Sequence, residues 1–125
     1  MPIRILIVDD SVFVRRSIRS CIETNTDWLV CGEADDGQAA IEMVRELKPD
    51  LVILDLAMPM MNGLDAARQI SAIMPNLPMI MFTMLDCTRL LKATAQAAGI
   101  RHVFSKSDGF GDHVLQAIRA LFPAA

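Results

Sequence analysis

The sequence predicts an α/β protein: a doubly wound parallel sheet of five strands in the order 2-1-3-4-5, each strand followed by a helix. Three observations carry that expectation. Short apolar runs alternate along the chain with stretches of helical period. The runs Ile3–Val8, Leu51–Leu54 and Met79–Phe82 are almost wholly apolar, as strands buried on both faces must be. Trp28–Ala34 and His102–Ser105 are more polar, as edge strands are. In the 2-1-3-4-5 order the first, third and fourth strands are central, and these are the most apolar runs.

The helices follow from spacing and punctuation. Ser11 is placed to cap a first helix whose stripe is Val14, Ile18, Cys21 and Ile22. Ala40, Val44 and Leu47 form a second stripe, closed by Lys48-Pro49. Leu64, Ala67, Ser71 and Met74 form a thinner third, ended before Pro75. Asp86 is expected to cap a fourth helix that runs to Gly99. Val114, Ile118, Leu121 and Phe122 face one way in the last, which Pro123 follows.

Composition narrows the class. The chain has 125 residues, 53% hydrophobic and 22% charged, enough to bury a core in one domain spanning residues 1–125 and too apolar for a disordered tail. The net charge of −3 offers no basic footprint for nucleic acid. No apolar run approaches the roughly 18–20 residues of a membrane span. Met1-Pro2-Ile3-Arg4 leads into the first strand without a signal-peptide cleavage pattern. Cys21, Cys31 and Cys87 form no CxxC pair, which disfavours a disulfide framework or a zinc site and suits a reduced, cytoplasmic setting.

In an open parallel sheet, ligands bind beyond the carboxyl ends of the strands. The residues there are Asp9-Asp10 after the first strand, Asp55 after the third, Thr83 after the fourth and Lys106 after the fifth. Each alone has an ordinary explanation: acids before a helix answer its dipole, and a lone Lys is a solvated charge. Together they are specific. Two like charges about 4 Å apart repel by roughly 4 kcal/mol at an effective dielectric of 20, so three clustered carboxylates need a proton or a cation. Oxygen ligands without Cys or His select a hard ion such as Mg²⁺, which commonly keeps waters and phosphate oxygens. Lys106 and the Thr83 hydroxyl remain as donors for an anion, and a carboxylate can accept a phosphoryl group as nucleophile.

The quoted residues also carry a resemblance. Ile5-Leu6-Ile7-Val8-Asp9-Asp10, the segment from Asp50 to Leu64 with its Asp55-x-x-Met58-Pro59-x-x-x-Gly63 pattern, Met79–Thr83, and Ala98-Gly99 followed by Phe104-Ser105-Lys106 make the whole chain resemble a receiver domain of two-component response regulators. The resemblance implies a flavodoxin-like (βα)5 fold of the chemotaxis-receiver kind. It implies that Asp55 is a phosphoacceptor, served by a histidine kinase or phosphotransfer protein. Asp10, Asp55 and the Ala57 carbonyl would ligate Mg²⁺, with Asp9 acting mainly through a metal-bound water. Lys106 would pair with the carboxylate and then the phosphoryl oxygens. Thr83 would swing inward to the phosphoryl group and carry the signal to a surface that binds a downstream protein or a second copy. Arg15, Arg16 and Arg19 would decorate the first helix, where family members meet their kinase.

Several positions depart from the family pattern. Ser107 follows Lys106 where a cis proline is usual; a cis bond to a non-proline costs about 2.5–4 kcal/mol, so a trans bond is expected. Met84 replaces a small residue and is expected to lid the site in part, or else to pack under the following helix. Val103 stands where a switching aromatic ring is common, with Phe104 facing the other way. Ala57 and Leu85 are apolar and cannot orient a water, which favours a long-lived phosphoryl group. Seven of the nine methionines lie between Met58 and Met84, read chiefly as core filling.

Two other readings compete. A phosphohydrolase with an aspartyl nucleophile usually carries DxD after its first strand and adds a cap, and Asp9-Asp10 lacks that spacing. A degenerate receiver that binds partners without phosphorylation is opposed by the intact acids, Thr83 and Lys106. The leading expectation is a signalling module, not an enzyme beyond its own phosphotransfer and dephosphorylation, with no direct contact to nucleic acid or membrane.

Overall fold

The computed structural model describes residues 2–123. Its elements run β1 (Arg4–Val8), α1 (Val12–Asn25), β2 (Leu29–Ala34), α2 (Gly37–Leu47), β3 (Leu51–Leu54), α3 (Gly63–Ile73), β4 (Met79–Thr83), α4 (Arg89–Ala97), β5 (Ile100–Ser105) and α5 (Asp112–Leu121), with a short 3-10 turn at Lys106–Asp108. All five strands are parallel and lie in the order β2-β1-β3-β4-β5, the flavodoxin-like order expected from the sequence.

Strand alternation divides the core into two layers. Leu6, Val8, Val52, Leu54, Met79 and Met81 point to the face covered by α2, α3 and α4. Ile5, Ile7, Leu51, Ile53, Ile80 and Phe82 point to the face covered by α1 and α5. Every residue of β3 and β4 is buried, which explains why these runs show no polar alternation. Val103 joins the first layer and Phe104 the second, as the period of two requires.

Ser11, Asp36, Asn62 and Thr88 cap α1, α2, α3 and α4, each accepting a hydrogen bond from the backbone N–H three residues on. The cap of α4 is therefore Thr88 and not Asp86, whose carbonyl instead closes a tight turn with the Thr88 N–H at 2.8 Å. The turn moves the start of α4 two residues on and puts the Thr88 hydroxyl, not the Asp86 carboxylate, at its head. β1 and β2 each start one residue later than their apolar runs suggest. β5 starts earlier, at Ile100, because Gly99 (φ 97°) turns the chain directly from α4 into the strand.

Candidate functional site

The sheet carries the acidic residues to its carboxyl edge by continuing the strand ladder. The Asp9 N–H donates to the Ala34 carbonyl and the Asp55 N–H to the Val8 carbonyl, both at 3.0 Å. One carboxylate oxygen from each of Asp9, Asp10 and Asp55 lies within 4.8 Å of the others. Asp9 and Asp55 are buried, whereas Asp10 is exposed at the mouth. Lys106 reaches across from the end of β5 and places its Nζ 2.7 Å from Asp9 Oδ2 and 2.9 Å from Asp55 Oδ2. The second Asp9 oxygen accepts from the Ser11 N–H, and Asp55 Oδ1 from the Leu56 N–H.

These contacts set the electrostatics. Burial pushes the Asp9 carboxyl above its ordinary range, against the Lys106 and Ser11 hydrogen bonds that favour the anion. Burial works the other way on Lys106, but hydrogen bonds to Asp9 and Asp55 outweigh it and hold its pKa above the usual lysine value. Lys106 is thus a fixed ammonium. Ionised, the three carboxylates less this ammonium leave two negative charges in an all-oxygen pocket, the complement of a hard divalent cation.

Thr83 is fully buried at the end of β4, and its Oγ1 accepts from the Leu85 N–H at 3.2 Å, leaving the hydroxyl hydrogen to donate. Ala57 lies two residues beyond Asp55 in the exposed part of the β3–α3 loop. No cis peptide occurs among the described residues, so Lys106–Ser107 is trans as expected, and the Ser105 hydroxyl accepts from the Ser107 N–H. Met84 does not pack beneath α4. It is 70% exposed and lines a groove of about 450 Å³ together with Ser11, Phe82, Lys106 and Phe110. Phe82 and Phe110 meet edge to face at 5.4 Å on the α1–α5 side of the sheet, opposite to Val103.

The loop after Asp55 holds a backbone outlier. Met60 has φ 71°, and the Met61 N–H donates to the Pro59 carbonyl at 2.8 Å, a γ-turn of the strained hand. The Met60 side chain is 92% exposed and contributes no core packing, although Met79 and Met81 do fill the core as expected. Met60→Gly should therefore stabilise the protein. Removing a positive-φ side chain gains about 1–2 kcal/mol, and the freer unfolded chain takes back about 0.4–1 kcal/mol. A higher urea midpoint at unchanged slope is the expected reading.

One expectation needs correction. Arg15 and Arg19 do not simply decorate α1. Arg15 is 15% exposed; its Nε donates to Glu33 Oε1 at 2.9 Å, and its Nη1 donates to the backbone carbonyl of Asp9. Arg19 grips the other Glu33 oxygen at 2.8 Å and also pairs with Glu23. Burial would raise the Glu33 pKa, but the hydrogen bonds from Arg19 and Arg15 hold it below the usual carboxylate range. The i, i+4, i+8 spacing of Arg15, Arg19 and Glu23 is visible in sequence; the reach to β2 is not.

A doubly wound parallel sheet with an acidic, lysine-bridged pocket at its carboxyl edge defines a class of small α/β modules. The chain belongs to the response regulator receiver domain family, whose model matches residues 5–118. It is 51% identical over 83 residues to a protein-glutamate methylesterase/protein-glutamine glutaminase of Pyrococcus abyssi, a match covering 66% of this chain and 22% of that protein. The chain thus spans about a fifth of the length of that relative. Among solved structures it superposes on the response regulator domain of Thermotoga maritima CheB with a TM-score of 0.88 and 32% identity, covering 97% of this chain and 96% of that one. It also superposes on a chain of the CheX-CheY-BeF3-Mg complex of Borrelia burgdorferi, with a TM-score of 0.89, 27% identity and coverage of 98% and 91%.

Proposed function

We propose that the chain is a phosphoacceptor receiver: Asp55 accepts a phosphoryl group from a histidine kinase or phosphotransfer protein, and the change in charge switches a partner-binding surface. The observation that carries this reading is the Lys106 ammonium bridging two buried carboxylates beside a third, more open one. Such a pocket is short of positive charge and rich in fixed partners for an anion. Asp10, Asp55 and the Ala57 carbonyl are the residues that would hold Mg²⁺, with Asp9 acting through a water; the ion would supply positive charge against a phosphoryl group. Asp55 supplies the attacking oxygen, Lys106 neutralises phosphoryl oxygens as they arrive, and the free Thr83 hydrogen is a donor to one of them.

In this reading the chemistry is confined to the domain's own phosphorylation and dephosphorylation. Ala57 and Leu85 are exposed and apolar and cannot themselves orient an attacking water, which favours a long-lived phosphoryl group. No helix among the described residues is long and apolar enough to cross a membrane, in keeping with a cytoplasmic signalling role. A downstream protein target and a phosphorylation-dependent dimer belong to the same proposal. The Borrelia neighbour, whose complex contains BeF3 and Mg, supports the ligand set.

Incubation with Mg²⁺ and acetyl phosphate should add one phosphoryl group to the intact mass of the wild type and none to Asp55→Asn. An adduct that persists in Asp55→Asn would remove Asp55 from the role. The absence of any adduct in the wild type would favour a binding module that works without phosphorylation.

A further inference from the structure

We propose that Arg15, oriented by Glu33, is a positioning residue that fixes the Asp9–Asp10 corner of the acidic pocket and thereby sets its affinity for a divalent cation; this rests on the metal-binding reading of that pocket. Arg15 makes two directed contacts from one planar group. Its Nη1 donates to the Asp9 carbonyl, and its Nε donates to Glu33 Oε1 at 2.9 Å. Glu33 lies on β2, directly before Ala34, whose carbonyl takes the Asp9 N–H at 3.0 Å. Strand β2 therefore holds the Asp9 peptide on both sides, once directly and once through Glu33 and Arg15. With Ser11 and Lys106 on the carboxylate, every polar group of Asp9 has a named partner.

The alternative is an ordinary surface ion pair, weak and of no consequence for the pocket. The geometry argues otherwise. A solvated pair has no reason to spend a guanidinium donor on the carbonyl between two acidic residues, and the Arg15 side chain is 15% exposed. Charge is not the main effect either, because Arg15 and Arg19 face Glu33 and Glu23 and the four charges cancel. What remains is orientation. The Asp9 carbonyl belongs to the peptide that leads into Asp10, so fixing it fixes where the Asp10 carboxylate departs from the chain. Partners one step removed from a metal commonly contribute about 10–100-fold in affinity through such orientation.

Arg15→Lys separates the two explanations. It keeps the charge but cannot make two fixed, coplanar contacts. Mg²⁺ alone would be titrated into each protein and followed through the backbone amide signals of Asp9, Asp10 and Ser11, with the other amide signals reporting the fold. The expected result is about a tenfold weaker Mg²⁺ affinity in Arg15→Lys, a smaller loss in Glu33→Gln, and a change within twofold in Arg19→Ala, which loosens the network without touching Asp9. Unchanged affinity in both Arg15→Lys and Glu33→Gln overturns the positioning role. So does a loss in Arg19→Ala equal to that in Arg15→Lys, because the network would then act only through bulk structure. A wild-type protein that shows no Mg²⁺-dependent shifts overturns the metal reading itself, an outcome distinct from a failed variant.

Discussion

Gly63→Ala is expected to lower the melting temperature by roughly 10 °C or more and to disable the pocket with it. Helix propensity alone predicts the opposite. Gly63 opens α3, and alanine is the better helix former by about 1 kcal/mol. The close approach of two backbone segments reverses the sign. A Cβ at this position would fall well inside van der Waals contact of the Asp55 carbonyl oxygen, with the Asp55 carbonyl carbon at 2.9 Å and Leu56 Cα at 3.1 Å. These are main-chain atoms of the segment that carries Asp55, so no rotamer change relieves the clash. The Gly63 N–H also donates to the Leu56 carbonyl at 2.8 Å, tying the helix to the same turn. Relief requires shifting either the end of β3 or the first turn of α3, at about 3 kcal/mol or more. Thermal melts check the sign, and a melting temperature equal to or above wild type would falsify the account.

Lys106→Met should make stability strongly dependent on Mg²⁺. Among the described residues the Lys106 ammonium is the one cation paired with the Asp9 and Asp55 carboxylates, whose side chains are 2% and 6% exposed. Removing one partner of a buried charge pair commonly costs about 3–5 kcal/mol, moderated here by uptake of a proton at the carboxylates. Without the ammonium, a divalent cation meets two free carboxylates and no competing positive charge, so its affinity should rise at least about tenfold, or ~1.4 kcal/mol. Melts with chelator and with Mg²⁺ should therefore give a larger Mg²⁺ increment in Lys106→Met than in wild type. Equal increments would show that the ammonium and the metal do not share the same oxygens. The variant should also lose phosphorylation by acetyl phosphate, because the Mg²⁺ it binds more tightly does not replace the donor that Lys106 offers to a phosphoryl oxygen.

The fold was legible because its signals are redundant. The doubly buried runs of β1, β3 and β4 mark the central strands, in agreement with the 2-1-3-4-5 order, and Ser11 stands where the first helical stripe begins. The acids, Thr83 and Lys106 were legible for a related reason: they lie at or just beyond the ends of the strand runs, and topology gathers such positions at one edge. What sequence did not convey depends on contacts between distant segments. Nothing in the residues around Arg15 says that Glu33 on β2 will turn its guanidinium toward the Asp9 carbonyl. That Thr88 rather than Asp86 caps α4 depends on the turn at Cys87. The γ-turn at Met60 is invisible in sequence, since methionine is not a residue that positive φ favours. The close approach at Gly63 was present only as a motif position, without its steric reason.

The thin anchoring of α4 has a consequence for how a signal can leave the pocket. Of its residues only Ala95 is buried, with Leu91 half-buried against the core, whereas α2 and α3 each bury four. Leu90, in its first turn, is 77% exposed. Local stability tracks buried contact, so α4 belongs to the part of the molecule that opens at the lowest free energy. Burying an alanine methyl is worth about 0.8 kcal/mol, while a hydrogen bond to a charged group is worth about 1.5–3 kcal/mol. In the proposed phosphoacceptor role, a single new bond from Thr83, at the head of the loop leading into α4, would be of the right size to reset this helix while the β1–β3–β4 core stays as it is.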